Sequence, residues 1–402
     1  MPPNPAQPHR NHTLHSREKS TSGVPSLDFS RQYAQIRPEV LAALEAVCDS
    51  QQFILGEEAT HFEAAAAAYC GTAYGIGCAS GTDALWLAMA AAEIGPGDAV
   101  LTTPFSFFST VSSILRAGAR PLLADIDPRT YNLDPALISA TLKNSSGVHL
   151  RAILPVHLYG QCADWDALSA MKSELDLLLI EDAAQAFGAK WNGQPAGSLG
   201  DLAAFSFYPT KNLSACGDAG LVTTANEFFA ERARMLRNHG MRQRYFHEEI
   251  GWNSRLDTLQ AAVLLVKLQH LDGWNQQRRE RAERYDQLFQ RQGLAESGVY
   301  PTHGVILPFV DPRGTHVFHQ YVIRVERRDA LKTFLAERSI GSEIYYPIPL
   351  HLQACLSNLG YPENSFPESE RAAREVLALP MFPELTTEEQ EQVVAAIAEF
   401  LS

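Results

Sequence analysis

The sequence predicts an α/β fold, a mostly parallel central sheet flanked by helices, followed by a smaller α+β unit at the C-terminal end. Three observations lead there. Strand-like and helix-like segments alternate over about 200 residues from Tyr74 onward. Several strand candidates are continuous apolar runs, the pattern of a parallel sheet covered by helices on both faces. The chain has 402 residues with a hydrophobic fraction of 46%, enough to fill a large core.

Residues 1–24 are rich in Pro, Ser, Asn and His and lack the apolar content to fold, so a disordered leader is expected there. His9, His12 and His15 have metal-binding chemistry, but a tail of this composition needs no such role. Helical spacing runs from Pro38 to Asp49, and Ala59 to Tyr69 reads as an Ala-rich helix. Strands are then predicted at Tyr74–Cys78, Ala99–Thr103, Pro121–Ala124, Ala152–Val156, Leu177–Ile180, Ala203–Phe207 and Gly220–Thr223. Asp83–Glu93 and Ser109–Ala117 read as helices between the first of them.

The rhythm changes after Phe228. Asp257–Leu271 and Trp274–Gln292 read as two helices with Gly273 between them. A strand, helix and strand follow at His319–Val325, Arg328–Arg338 and Glu343–Tyr346. Thr387–Leu401 closes the chain as an amphipathic helix, capped by Thr386 or Thr387, with Glu388 and Glu389 in its first turn. The predicted organisation is a leader at 1–24, a large α/β domain at 25–250, and a small α+β domain with linking helices at 251–402.

A net charge of -13 argues against nucleic acid or an anionic membrane as a partner. No apolar run reaches the roughly 18 residues that cross a bilayer, and no apolar signal core stands at the start. The six cysteines are scattered, with no CxxC pair and no His/Cys metal spacing, so reduced thiols in a cytoplasmic protein and no metal are expected.

Ligands of open α/β sheets sit at the carboxyl ends of the strands. Four segments there carry chemistry. Ala79-Ser80-Gly81-Thr82-Asp83 lies between a strand and a helix; Gly81 permits a tight turn, Thr82 offers a hydroxyl, and the helix begins with free N–H groups, which together suit a phosphate. Read alone, it also fits a plain helix cap. Glu181-Asp182-Ala183-Ala184-Gln185 places an acid directly after a buried strand, where it needs a cation or a strong donor. A protonated ring nitrogen would serve, as would a metal or a helix end. Ser206 to Leu213 sets Lys211 on a loop constrained by Pro209 at the sheet edge, where burial lowers an amine's pKa and fits it for covalent catalysis. Thr103 to Thr110 carries three phenylalanines, one of which could lie flat against a ring.

A phosphate turn, an aromatic, an acid after a strand, then Ser206 and Lys211 five positions apart: this order resembles fold-type I enzymes that use pyridoxal 5'-phosphate (PLP). More closely, the chain from about Leu27 onward resembles the DegT/DnrJ/EryC1/StrS family of nucleotide-sugar aminotransferases. The likeness is carried by Ser80–Leu85, Pro104–Thr110, Pro155–Gln161, Glu181–Gly188, Ser206–Leu213, Gly217–Gly220, Arg237–Gly240, Gly251–Leu256 and Tyr346–His351.

The resemblance implies that Lys211 holds PLP covalently and shuttles protons. It implies that Asp182 pairs with the ring nitrogen, that Gln185 contacts the ring oxygen and that Phe107 stacks on the ring. Gly81, Thr82 and Ser206 would hold the phosphate, and Asn253 would reach the phosphate of a neighbouring subunit in a homodimer. Tyr346, His351, Arg255 and His157 are weaker candidates for substrate contacts; a structural role for His157 fits equally well. Trp252, Ser254 and Ala219 depart from the family pattern and are expected to alter the substrate pocket. The implied reaction passes an amino group from glutamate, by way of the pyridoxamine form of the cofactor, to a nucleotide-linked ketosugar. The Val156–Gln161 segment leans toward 3-keto substrates over 4-keto ones. A dehydratase branch carries His where this chain has Lys211, a desulfurase would need a nucleophile such as Cys355, and a non-catalytic regulatory member need not keep Lys211, Asp182 and Ser206.

Overall fold

The computed structural model describes residues 23–143 and 147–402. The expected leader and its histidines lie outside the described residues, except at its end. There Val24 is buried and pairs with Ile340: its N–H donates to Ser339 O and its carbonyl accepts from Gly341 N. Val24 therefore belongs to the fold although it falls within the expected leader, because it is an apolar residue with a core to join.

Helix α1 (Phe29–Ser50) is capped by Asp28, which accepts from Ser30 N, and runs through Pro38. The sequence placed its start at Pro38; the helix begins nine residues earlier, and it tolerates the one backbone bond that proline cannot donate. Helix α2 is Glu57–Cys70.

Seven strands build the central sheet: β1 (Tyr74–Cys78), β2 (Asp98–Thr102), β3 (Arg120–Leu123), β4 (His149–Ile153), β5 (Leu178–Asp182), β6 (Leu202–Ser206) and β7 (Gly220–Thr224). Their spatial order is β1-β7-β6-β5-β4-β2-β3. β3, β2, β4, β5 and β6 are mutually parallel, while β7 runs antiparallel to both β6 and β1. The helices α3 (Gly81–Ala91), α4 (Ser109–Arg116), α5 (Pro135–Lys143), α6 (Trp165–Leu175) and α7 (Glu227–Leu236) connect them. The first two were legible. Of the last three, α5 and α6 carry few buried residues (Ile138 alone in α5, Trp165 and Leu168 in α6), so their apolar period is faint. α3 is apolar all round because it is buried all round, packed against β6, β7, α4 and α7.

Helix α8 (Thr258–Leu268) packs on α1 and α2 and shares a core with Phe62, Phe205 and Phe207, so it sides with the large unit. Gly273, expected as the break before the next helix, lies in the first turn of α9 (Leu271–Arg291); the break falls at Gln269 and His270. First-turn N–H groups have no intrahelical partner, which makes Gly tolerable there.

The small unit packs β8 (Tyr321–Arg324) and antiparallel β9 (Val376–Leu379) against α9, α10 (Arg328–Glu337) and α12 (Thr387–Leu401), around Tyr285, Phe289, Ile323, Leu377 and Ile397. α12 opens with the capping box of Thr386 and Glu389. Glu343–Tyr346 is not a strand: one bridge, Glu343 to Ala378, is all it makes, and the chain turns away at Pro347. β9 took the pairing role instead; it follows α11 (Pro367–Glu375) with no turn residues to announce it. Among the described residues no helix is long and apolar enough to cross a membrane.

Candidate active site

The carboxyl ends of β1, β2, β5 and β6 converge on a cavity of about 580 Å³, closed on its far side by the small unit and by Ser26 and Leu27. It brings together Gly81, Thr82, Phe107, Asp182, Gln185, Ser206, Lys211 and Tyr346.

After β1 the chain turns into α3, and Ser80 caps the helix by accepting from Asp83 N at 3.1 Å. The open helix N-terminus faces the hydroxyls of Thr82, Ser109 and Ser206; Thr82 Oγ1 and Ser109 Oγ are 2.6 Å apart. Gly81 is required by space: a Cβ there would sit 2.5 Å from Ser206 Cβ. Gly220 likewise passes under the turn, where a Cβ would lie 2.2 Å from Ser80 O. Backbone N–H groups and hydroxyls around a helix N-terminus form a cradle for a phosphate.

Asp182 ends β5 and is 4% exposed. Its Oδ2 accepts from Thr110 Oγ1 at 2.7 Å and its Oδ1 from Ala184 N at 3.3 Å. Burial pushes this carboxyl above its ordinary value, and the two hydrogen bonds and Lys211 oppose the rise. Lys211 follows a turn in which its own N–H donates to Tyr208 O at 2.8 Å. Burial lowers its amine to about 8, against the pull of Asp182. The two groups act on each other yet form no ion pair, the separation that a ring-sized molecule between them requires. A carboxyl without an ion-pair partner, a buried amine lowered to about 8 and a phosphate cradle in one cavity fit PLP.

Gln185 is oriented at both ends, accepting from Tyr159 N at 2.7 Å and donating to Tyr346 OH at 3.0 Å. Phe107 is 57% exposed and lies 6.1 Å from the Tyr346 ring.

Four of the residues singled out in the sequence lie outside the cavity wall. His157 is fully buried; its Nδ1 accepts from Ala163 N, so its Nε2 carries the proton and donates to Glu181 at 3.0 Å. Glu181 also accepts from Gly197 N, Leu199 N and Gly200 N. His351 is buried against Glu370. Arg255 donates to Asn238 Oδ1 at 3.2 Å, and the exposed Asn253 pairs with Asn238 through the backbone. Ser254, expected to shape the substrate pocket, instead donates to Asp83 Oδ2 at 2.9 Å beneath the phosphate turn, and Trp252 packs on Trp86. The cavity also holds Ser109, His319, Gln320 and Tyr345. Ser109 lay in a segment noted for its aromatics; His319 had no signature beyond the start of a strand.

The chain is similar over nearly its whole length to known proteins. The model of the DegT/DnrJ/EryC1/StrS aminotransferase family matches residues 34–398. The pleiotropic regulatory protein of Geobacillus stearothermophilus is 49% identical over 377 residues, 94% of this chain and 98% of that one. The dTDP-3-amino-3,4,6-trideoxy-alpha-D-glucose transaminase of Streptomyces venezuelae is 41% identical, covering 96% and 98%. The X-ray structure of S. venezuelae DesV superposes with a TM-score of 0.89 at 42% identity, covering 95% of this chain and 99% of that one.

Proposed function

Because the chain belongs to the DegT/DnrJ/EryC1/StrS aminotransferase family, we propose that it uses PLP to transfer the amino group of glutamate to a nucleotide-linked 3-ketosugar of the 6-deoxyhexose type. The observation that carries this reading is the buried Lys211 amine sharing one cavity with Asp182 and the Gly81–Thr82–Ser206 cradle. When bound, PLP supplies an electron sink that stabilises a carbanion at the substrate carbon.

The residues divide the remaining work. Lys211 Nζ would hold the cofactor and, when displaced, would carry the proton between the substrate carbon and the cofactor's C4′; an amine near 8 is suited to both directions at neutral pH. Asp182 keeps the ring nitrogen protonated, with Thr110 and Ala184 N–H fixing its carboxylate. Thr82, Ser109 and Ser206 bind the phosphate. Phe107 covers the ring face, and Gln185 fixes the ring oxygen while holding Tyr346 toward the sugar. Asn253, exposed on the surface, would act on a partner subunit's cofactor in a homodimer.

The 3-keto preference follows the S. venezuelae transaminase, whose name specifies a 3-amino sugar. A regulatory, non-catalytic role is the second reading, favoured by the name of the Geobacillus relative. One experiment separates them. The purified protein is incubated with PLP, glutamate and a panel of 3-keto and 4-keto nucleotide sugars, and products are identified by mass and NMR. An aminosugar nucleotide supports transamination, and the panel reports the aminated carbon. A protein that takes up no PLP, or holds it without responding to glutamate, overturns the reading.

A further inference from the structure

A histidine that no part of the foregoing assignment uses stands in the Lys211 cavity. His319, from the segment leading into β8, is 7% exposed and lines the same wall. We propose that His319 is a positioning residue for Lys211: with its proton held on Nδ1 by Asn212, its unprotonated Nε2 is the acceptor that the Lys211 amine, unbonded to it in this structure, takes up by turning within the cavity they share.

The direction of every hydrogen in the supporting chain is fixed. Asn212 directly follows Lys211 and is buried. Its Nδ2 donates to Val317 O at 3.0 Å and to Asn275 Oδ1 at 2.8 Å. A carbonyl can only accept, so the amide cannot be turned round, and Asn212 Oδ1 must face His319 Nδ1, 3.2 Å away. Asn275 is pinned the same way, since its Nδ2 donates to Phe187 O at 3.3 Å. The oxygen of Asn212 can only accept, so the His319 proton sits on Nδ1. Nε2 is left with its lone pair and has no protein partner among the described residues, in a residue that borders the cavity.

Burial keeps the ring neutral, and two cations add to the effect. Lys211 is near enough to depress its protonation, and so is Arg278, whose guanidinium donates to the carbonyls of Phe318, His319 and Met381. Lys211 Nζ has no protein hydrogen-bond partner among the described residues either. An amine with hydrogens to place and an imidazole with a free lone pair thus border one cavity. The Asn212 bridge ties the lysine's loop to the small unit that delivers the histidine. This inference rests on the position of Lys211 and not on which ketosugar is used.

The test reads Lys211 itself. In the full chain freed of cofactor, competitive acetylation across a pH series gives the apparent pKa of Lys211 by mass spectrometry of its peptide. Loss of an acceptor that stabilises the ammonium lowers that value, so His319→Phe is expected to shift it down by about one pH unit. His319→Gln, which keeps an acceptor, is expected to restore it. An unchanged Lys211 profile in a folded His319→Phe protein overturns the proposal. The unsubstituted protein provides a second measurement: ring ¹⁵N resonances of His319 are expected to report a proton on Nδ1 and an Nε2 shift that moves as Lys211 titrates. A proton on Nε2, or an Nε2 signal indifferent to Lys211, overturns it equally.

Discussion

Thr110 Oγ1 donates to Asp182 Oδ2 at 2.7 Å, and Ser106 Oγ lies 2.7 Å from the same hydroxyl. Ser106 after β2 and Thr110 in the first turn of α4 thus hold one oxygen of the Asp182 carboxylate in place. Thr110→Val keeps the shape and removes the donor. Burial then acts on Asp182 with less opposition, so the carboxyl rises further and its charge is less available to the ring nitrogen. PLP affinity is expected to fall about tenfold, measured by fluorescence titration.

Lys211→Ala removes both the covalent tether and the proton carrier. Turnover is expected to drop by at least about 10³-fold, and dialysis should strip the cofactor that the unsubstituted protein retains. Exogenous methylamine partly restoring the rate would assign the loss to the missing amine.

The lowered Lys211 amine has a sign that can be checked on stability. Its folded value, about 8, lies below its ordinary 10.5, so the unfolded chain holds that proton more tightly. The penalty for burying the charged form is complete below about 8 and is relieved as pH rises from there toward 10.5. Lys211→Met should therefore stabilise the cofactor-free protein at pH 7, by up to about 3 kcal/mol, and give little gain at pH 10. Thermal denaturation at the two pH values is the measurement. The turnover rate, which needs the neutral amine, should rise with pH through the same region.

Glu181 gathers His157 and three backbone N–H groups with no exposure to water. Glu181→Ala strands all four donors and is expected to cost about 3–5 kcal/mol of stability. His157→Phe should also lower the melting temperature while leaving KM for the ketosugar unchanged. A raised KM with an unchanged melting temperature would return His157 to the substrate.

Tyr346→Phe removes the acceptor for Gln185 Nε2 and a hydroxyl facing the cavity. The efficiency kcat/KM toward the ketosugar is expected to fall about five- to tenfold with the glutamate half-reaction little changed, as measured by stopped-flow absorbance.

How much of this was readable in advance depended on range. Gly81, Asp182, Ser206 and Lys211 each follow a buried strand, and strand ends are marked by the switch from an apolar run to Gly, Pro or charge. Residues whose role comes from partners distant in sequence were opaque. His351 and Glu370 are 19 positions apart and His157 and Glu181 are 24, so nothing local distinguishes these histidines from ligands of a substrate. His319 meets Asn212 across 107 positions. Ser254 was misread for the same reason: its partner Asp83 is 171 positions away. Among the elements, α5 and α6 escaped because they bury few residues, and β9 because it follows α11 directly, with no turn residues between them.

The contact of Val24 with Ile340, and of Met381 N with the Ser26 carbonyl at 3.3 Å, has a temporal meaning. Val24 and Ser26 leave the ribosome about 300 residues before Ile340 and Met381, so their pairing waits for the small unit to be made. The wall that Ser26 and Leu27 share with Ala378, Leu379 and Met381 is therefore the last part of the Lys211 cavity to be completed.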